Sequence, residues 1–267
     1  SPEYVVHPPL GKWMIAAGMA IFGDNNPFGW RFSAALIGTL SVALVAYAAW
    51  LLFRSMTVAT IAAILASVDG LMFVESRLAL LDIFQMFWIL ATFVCLLLDR
   101  QQSRRVLARK VAALAQQNGG TLPQLVVGPG WHLWRLAAGV CAGAAVGVKW
   151  NSLFFIAAFG LLTVFWDVNA RRILGLKNWA VVGVLREGLP AFVQMIGVGL
   201  IVYLSTWAGW FKSSNAFYRH WAQDNPGQGV QWLPTDLRSL WEYHVSAFNF
   251  HSKLDSPHSY ASPAWKW

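Results

Sequence analysis

The chain is short of charge. Only 12% of its 267 residues are Asp, Glu, Lys or Arg, against 57% hydrophobic, and a soluble domain carries about twice that charged share. It is short of cysteine too: Cys95 and Cys141 are the two. Both fall inside apolar runs, where a thiol behaves as a small hydrophobe, so neither a disulfide nor a metal framework is implied. Acids number 12 against 20 Lys and Arg, a net charge of +8. That excess would suit nucleic acid if it formed a surface stripe. Most of it falls in two segments, one with Arg100, Arg104, Arg105, Arg109 and Lys110, the other with Arg171, Arg172, Lys177 and Arg186. Membrane topology and anionic lipid account for such segments, and nucleic-acid binding is not expected. No internal repeat is visible, which weighs against an inverted-repeat transporter.

What the chain has is long apolar runs, with 16 Trp and 17 Phe. A span needs roughly 20 residues to cross about 30 Å of hydrocarbon. Residues 30–52, 58–73, 79–98, 133–148, 153–166 and 189–210 read as six spans of an all-α polytopic membrane protein. The second, fourth and fifth are short, so they tilt little, extend into their flanks, or lie where protein surrounds them. Cytoplasmic loops carry the excess of Lys and Arg. Two spans separate the basic segments, so 99–132 and 167–188 are both expected inside, together with Arg54 between the first two spans. Residues 1–29 and the aromatic segment 211–267 then lie outside, flanking the 30–210 bundle. The first residues are expected outside with no leader before them, so an upstream span is expected, and further chain after Trp267.

That topology sets the remaining charges near the outer ends of the spans. Arg31 opens the first span, Glu75 and Arg77 occupy the turn between the second and third, Asp82 follows one turn into the third, and Lys149 lies in the turn before Asn151. Asp69 sits about two turns deeper. An ionised group at the bilayer centre costs roughly 2.5 to 3.5 kcal/mol. Long cations can reach back to headgroups, but an aspartate is too short, and an outward-opening polar cavity accounts for Asp69 and Asp82. Arg31, Arg77 and Lys149 beside carboxylates suit a lipid-linked phosphate, whose leaving-group charge they would offset. The same charges would also line a transport path.

Ahead of the first span runs His7-Pro8-Pro9-Leu10-Gly11-Lys12-Trp13. The first proline disfavours helix at His7 and the second pre-sets a helix start. The apolar stretch 14–22, ending at Gly23-Asp24-Asn25-Asn26-Pro27, is too short to span and reads as a helix at the outer interface, with Lys12 on its first turn. The tail holds four of the six histidines, His220, His244, His251 and His258, at no compact zinc spacing. Leu237, Leu240, Trp241, His244, Val245 and Phe248 mark one face of an amphipathic helix. A second helix is expected over 215–223, closed by Asn225-Pro226-Gly227. Trp221, Trp232, Trp241, Trp265 and Trp267 read as interface anchors, with a role in holding a peptide or sugar left open. Residues 99–132 read as a short basic helix followed by a solvated linker.

Several of these segments, in this order, resemble one family, the protein O-mannosyltransferases, membrane glycosyltransferases of the GT-C class. They are His7-Pro8-Pro9-Leu10-Gly11-Lys12, Gly29-Trp30-Arg31-Phe32-Ser33, Ser76-Arg77-Leu78-Ala79-Leu80-Leu81-Asp82 and Gly147-Val148-Lys149-Trp150. In the tail, Phe250-His251-Ser252-Lys253-Leu254, His258-Ser259-Tyr260 and Pro263-Ala264-Trp265-Lys266-Trp267 fit as well. The lack of a domain insert resembles the actinobacterial branch. The resemblance implies a GT-C transmembrane bundle with interfacial helices on its outer face. It implies transfer of mannose, with inversion, from a polyprenyl-phosphate mannose donor to Ser or Thr hydroxyls of exported polypeptides, outside the cell membrane. The partners implied are that donor, that acceptor and membrane lipid; export machinery and divalent-metal dependence stay open, and no cofactor is firmly implied. Its carrier-phosphate and sugar contacts map to His7, Lys12, Arg31, Arg77, Asp82 and Lys149. The family's Asp-Glu pair, its source of the base, lies upstream of His-Pro-Pro, and Glu3 alone does not recreate it. No base is therefore assigned, and this chain alone is expected to be inactive. Two other readings stay open: a related GT-C transferase using another lipid-linked sugar or a lipid acceptor, and a non-catalytic transporter or polypeptide-binding subunit.

Overall fold

A computed structural model describes residues 4–121, 126 and 131–253; the tail motifs that involve Leu254, His258, Trp265 and Trp267 lie outside the described residues. Every regular element among the described residues is helical. Among the described residues four helices are long and apolar enough to cross a membrane: α2 (Pro27–Phe53), α5 (Leu81–Gln117), α7 (Ser152–Ile173) and α8 (Trp179–Thr206). Shorter ones are α1 (Leu10–Phe22), α3 (Met56–Val68), α4 (Gly70–Glu75) and α6 (Leu133–Val148). The chain is an all-α polytopic membrane protein. It divides into two units, Pro8–Thr206 and a smaller one that joins residues 4–7 to 207–253.

Local chemistry sets the ends of the larger unit's helices. Asn26 caps α2 by accepting the Phe28 N–H at 3.0 Å, with Pro27 as the first helical residue, where a missing N–H costs nothing. Arg54 ends α2 with φ 54°, and Ser55 caps α3 by accepting the Val58 N–H. The expected second span breaks at Asp69, whose carboxylate accepts the Met72 N–H at 2.7 Å and caps α4. Asp69 therefore needs no polar cavity, which corrects the sequence expectation: a broken helix leaves orphan amides, and the carboxylate answers them.

Three short spans were anticipated and each has its own resolution. The 153–166 run extends into its flanks, giving the 22-residue α7. The 58–73 run divides into α3 and α4. The 133–148 run stays at 16 residues, with Ala138, Gly139 and everything from Ala142 to Val148 buried in protein. Gly139, Gly143 and Gly147 form a one-turn-spaced strip along α6. A Cβ at Gly139 would collide with the Gln194 carbonyl of α8, one at Gly143 with the Gly199 carbonyl, and one at Gly147 with Thr206 at 2.9 Å. Small residues at this spacing let helix backbones approach closely where no hydrophobic effect drives association. Gly143→Val should lower the unfolding midpoint of the detergent-solubilised protein by the equivalent of about 1–3 kcal/mol, because the obstruction is backbone. An unchanged midpoint would mean that α6 and α8 are not in close contact.

The basic helix expected after residue 99 is longer than expected and continuous with the third span, and the second basic segment is largely helical too. Helix α5 runs on through residue 117, so 99–117 is a continuous extension of the third span, and α7 continues to Ile173, leaving only 174–178 between α7 and α8. Good helix formers such as Gln, Arg, Leu, Ala and Lys fill the α5 extension. Within α8, two π-helical stretches, Val182–Glu187 and Val193–Gly197, lie on either side of Pro190.

In the smaller unit, aromatic contacts through Trp207 link α9 (Ala208–Lys212) to α11 (Thr235–Ser252), and the single turn α10 (Trp221–Asp224) is tied to α11 by the Ala222 N–H donating to Ser239 Oγ at 3.1 Å. The helix expected over 215–223 is reduced to that turn. Helix α11 does form, but its buried face runs through Ser239, Leu240, Tyr243 and Ala247, while Trp241 and Phe248 are exposed. The rotation follows from the partners: Tyr4, Trp207 and Phe217 all pack against the Tyr243 ring, and the Tyr243 hydroxyl donates to the Val5 carbonyl at 2.7 Å.

Candidate functional site

Helices α5 and α6 run antiparallel, so the start of one meets the end of the other. Asp82 lies in the first turn of α5 and Lys149 is the C-cap of α6. A carboxylate at a helix N-terminus and a cation at a C-terminus each complement their own helix dipole. Here they also meet each other: the Lys149 ammonium donates to both Asp82 oxygens at 2.7 and 2.8 Å. One turn further along α5, Gln85 donates to Ser152 Oγ at 2.9 Å and to Asn151. The next residue in that turn, Trp150, donates its indole N–H to the Tyr203 hydroxyl of α8 at 3.0 Å. The turn that carries Lys149 is thus held from both sides.

The Asp82 side chain is 50% exposed and that of Lys149 20%. An ion pair so accessible contributes about 0–1 kcal/mol to stability, so stability is a weak reason for fixing a lysine in this place. Glu75 stands beside the pair. Burial first, and the Asp82 charge second, raise its pKa above the ordinary carboxylate range, with Lys149 pulling the other way. Its Oε2 is buried without a hydrogen-bond partner among the described residues. The site therefore presents one ammonium and one carboxyl oxygen with bonding capacity to spare.

Lys12 is drawn toward the same place by its neighbour. A Cβ on Gly11 would meet Leu81 at 2.7 Å and Val148 at 3.0 Å, the residues that precede Asp82 and Lys149. Leu10, Met14 and Ile15 of α1 pack on the core made by Ala34, Ile37, Met72, Ile83, Phe84 and Val148. Half-burial lowers the Lys12 pKa from the ordinary lysine range. Arg31 is exposed, its guanidinium 4.4 Å from the Trp30 ring centroid. Arg77, also exposed, lies over the Phe73 ring at 5.1 Å and makes no ion pair with Asp82. His7 belongs to the smaller unit, where its ring stacks on His251 with centroids 5.3 Å apart. Of the six candidates the structure pairs Asp82 with Lys149 directly and brings the Lys12 segment against them.

The opposite end of the bundle holds a second cluster that sequence reading did not single out. Arg135, 1% exposed, donates to Asp99 at 2.7 and 3.0 Å and to Asp167 at 3.0 Å. His132 Nδ1 lies 2.7 Å from Asp99, and the His132 N–H donates to Gln194 at 2.9 Å. Arg171 donates to Glu187 at 2.6 Å. Gln194 and Glu187 each come from one of the π-helical stretches, which tend to mark functional positions. The available signal was Arg135 itself, a guanidinium three residues into an otherwise apolar span.

Among the described residues no group of three or more His, Cys, Asp or Glu is arranged to hold a metal ion.

The family model described as dolichyl-phosphate-mannose-protein mannosyltransferase matches residues 6–115, a stretch that holds Lys12, Arg31, Glu75, Arg77 and Asp82 but not Lys149. The chain is 40% identical to the polyprenol-phosphate-mannose–protein mannosyltransferase of Mycobacterium tuberculosis and 34% identical to that of Corynebacterium glutamicum. Each alignment takes in all of this chain and 52% of the relative, so the chain spans about half the length of the curated relatives it matches. A more distant similarity, 30% identity over 70% of this chain and 30% of the relative, is to an undecaprenyl phosphate-alpha-4-amino-4-deoxy-L-arabinose arabinosyl transferase of Pseudomonas aeruginosa. No solved structure matches the chain.

Proposed function

Because this chain belongs to the protein O-mannosyltransferase family, we propose that it works in the transfer of mannose from a polyprenyl-phosphate carrier to Ser or Thr hydroxyls of exported polypeptides, and supplies the carrier-phosphate side of the site. The observation that carries this is the Lys149–Asp82 pair, an ammonium fixed at a helix end beside Glu75, with Gly11 of α1 packed against the residues that precede the pair. In the reaction an acceptor oxygen forms a bond to the anomeric carbon as the bond from that carbon to the phosphate oxygen breaks. The hydroxyl proton goes to a base and the electron pair to the phosphate, whose negative charge grows by one unit. Lys149 meets that charge as it develops, with Asp82 holding the ammonium in place. Arg31, Arg77 and Lys12 extend the cationic patch along the headgroup level, and His7 is assigned to it on sequence resemblance alone. No residue of this chain is assigned as the base.

The positive-inside rule supports the orientation: the α5 extension and the end of α7, with Arg171, Arg172 and the following Lys177, carry the Lys and Arg excess and face the cytoplasm, which sets the Lys149 end outside the cell membrane. Donor, acceptor and surrounding lipid are the partners on this reading.

The test uses membranes carrying the complete gene product, radiolabelled polyprenyl-phosphate mannose and a Ser/Thr-rich peptide. Label should enter the peptide, and Arg77→Ala should cut the rate by about 100-fold, the usual consequence of losing one donor to a developing charge. The similarity to an aminoarabinose transferase favours one second reading, a different lipid-linked sugar. Transfer from that donor and none from the mannose donor would establish it and remove the first.

A further inference from the structure

At the basic end of the bundle, the unmet hydrogen-bonding capacity of the charged side chains is one-sided. Arg100 Nε, Arg104 Nε, Arg135 Nη1 and Arg171 Nε are all buried without partners among the described residues. The three carboxylates there are committed: Asp99 to His132 and Arg135, Asp167 to Arg135, Glu187 to Arg171. Among the described residues the buried unpartnered atoms of the cluster are guanidinium N–H groups and His132 Nε2, and none is a carboxylate oxygen, so the cleft calls for an acceptor, and a charged one. Arg100 and Arg104 sharpen the demand, because like charges one turn apart on a helix repel. Arg100 rests on the Trp166 ring at 5.1 Å, while Arg104 makes no ion pair among the described residues.

Arg104 also joins two spaces. On one side is a polar pocket of about 10 Å³, room for a single water, lined by Ser103, His132, Asp167, Arg171 and Glu187. On the other is an apolar groove of about 200 Å³ between α5 and α7, walled by Leu107, Ala108, Ala170, Ile173 and Leu174. Leu107 and Ala170 line both. Ile173 is 71% exposed, so the groove opens toward the surroundings of the bundle.

We infer that this cleft is a binding site for one anionic phospholipid, its phosphate at Arg104 over the mouth of the polar pocket and an acyl chain along the groove between α5 and α7. Charge complementarity selects the headgroup, since basic pockets between transmembrane helices are where anionic headgroups bind. The adjoining apolar groove selects a lipid over a free phosphate ion, which would use only the polar half. The polar pocket is too small to admit the phosphate, so the contact is made at its rim. This inference needs the chain to lie in a membrane and does not depend on the transferase reading.

The experiment is native mass spectrometry of the complete protein in detergent, titrated with phosphatidylglycerol, phosphatidylcholine or inorganic phosphate. One phosphatidylglycerol should be retained in preference to phosphatidylcholine, and inorganic phosphate at the same concentration should not displace it. Arg104→Gln, which leaves every ion pair of the cluster intact, should weaken retention about tenfold, as expected for one charge-assisted bond. Ala108→Trp, which fills the groove and keeps every cation of the cluster, should do the same. Arg109→Gln, on the exposed side of the same helix, should change nothing. Equal loss in all three variants would reduce the effect to general surface charge. Retention unaffected by Arg104→Gln, equal retention of phosphatidylcholine, or displacement by phosphate would each overturn the assignment.

Discussion

In the complete gene product, on the transferase reading proposed above, Lys149→Met should slow mannosyl transfer by about 10²- to 10³-fold and move the unfolding midpoint hardly at all. The two halves of this result come from one geometry. The pair lies at the accessible end of α5 and α6, with half of the Asp82 side chain exposed, so its loss costs the fold about 1 kcal/mol at most. The transition state, in contrast, must place an additional negative charge on phosphate, and a fixed ammonium is worth far more to it than to the ground state. The fall should therefore appear in kcat, with KM changed much less. Asp82→Asn should show a similar fall through a different route, by releasing the ammonium from its position. If the two residues act as a unit, the double variant is no worse than the poorer single one. Multiplied losses in the double variant, or a drop confined to KM, would remove Lys149 from the leaving-group role.

At the other end the largest effect should be on stability. Arg135→Met leaves Asp99 and Asp167 facing each other with their shared guanidinium gone. Breaking a buried ion pair by deleting one member costs about 3–5 kcal/mol, because a charge is left buried and uncompensated. For a protein of this size, at 2–4 °C per kcal/mol, this corresponds to a fall of about 6–20 °C in the unfolding midpoint. Adding Asp99→Asn and Asp167→Asn to Arg135→Met removes the stranded charges and should recover most of the loss. Thermal unfolding in one detergent, read for all variants, decides it. A midpoint within 2 °C of the parent for Arg135→Met alone would show that the network does not hold the bundle.

The parts of the fold set by local chemistry were legible in the sequence. Asn26-Pro27 announces the start of α2, the double proline that of α1, and long apolar runs the four longer helices. Lys149 and Asp82 were legible as span-end charges because span ends can be counted. Their mutual pairing was not, because it comes from the antiparallel contact of α5 with α6, and Arg77 was an equal candidate on spacing. Asp69 was misjudged because a carboxylate within an apolar run reads as a buried charge, although the same residue can cap a new helix. Asp99, Asp167 and Glu187 read as loop charges beside basic segments. Only the glycine face of α6, by drawing α8 close and turning Arg135 inward between α5 and α7, makes them interior. The rotated face of α11 had a similar origin: its partners Tyr4 and Trp207 are more than 30 residues away in sequence and carry no periodic signal.

Helix α6 is tied to α5 by an ion pair at each end, Lys149 to Asp82 and Arg135 to Asp99, over only 16 residues. At 1.5 Å per residue that is about 24 Å, some 6 Å less than the ~30 Å of a typical hydrocarbon core. The two ionic ends therefore cannot both sit level with headgroups of an undistorted bilayer. Because protein covers most of α6, the shortfall is met by water following the charges inward and not by lipid thinning around the helix. On the proposed reading, a carrier phosphate that engages Lys149 therefore descends below the headgroup level of the surrounding bilayer, into a wet recess at the end of α6.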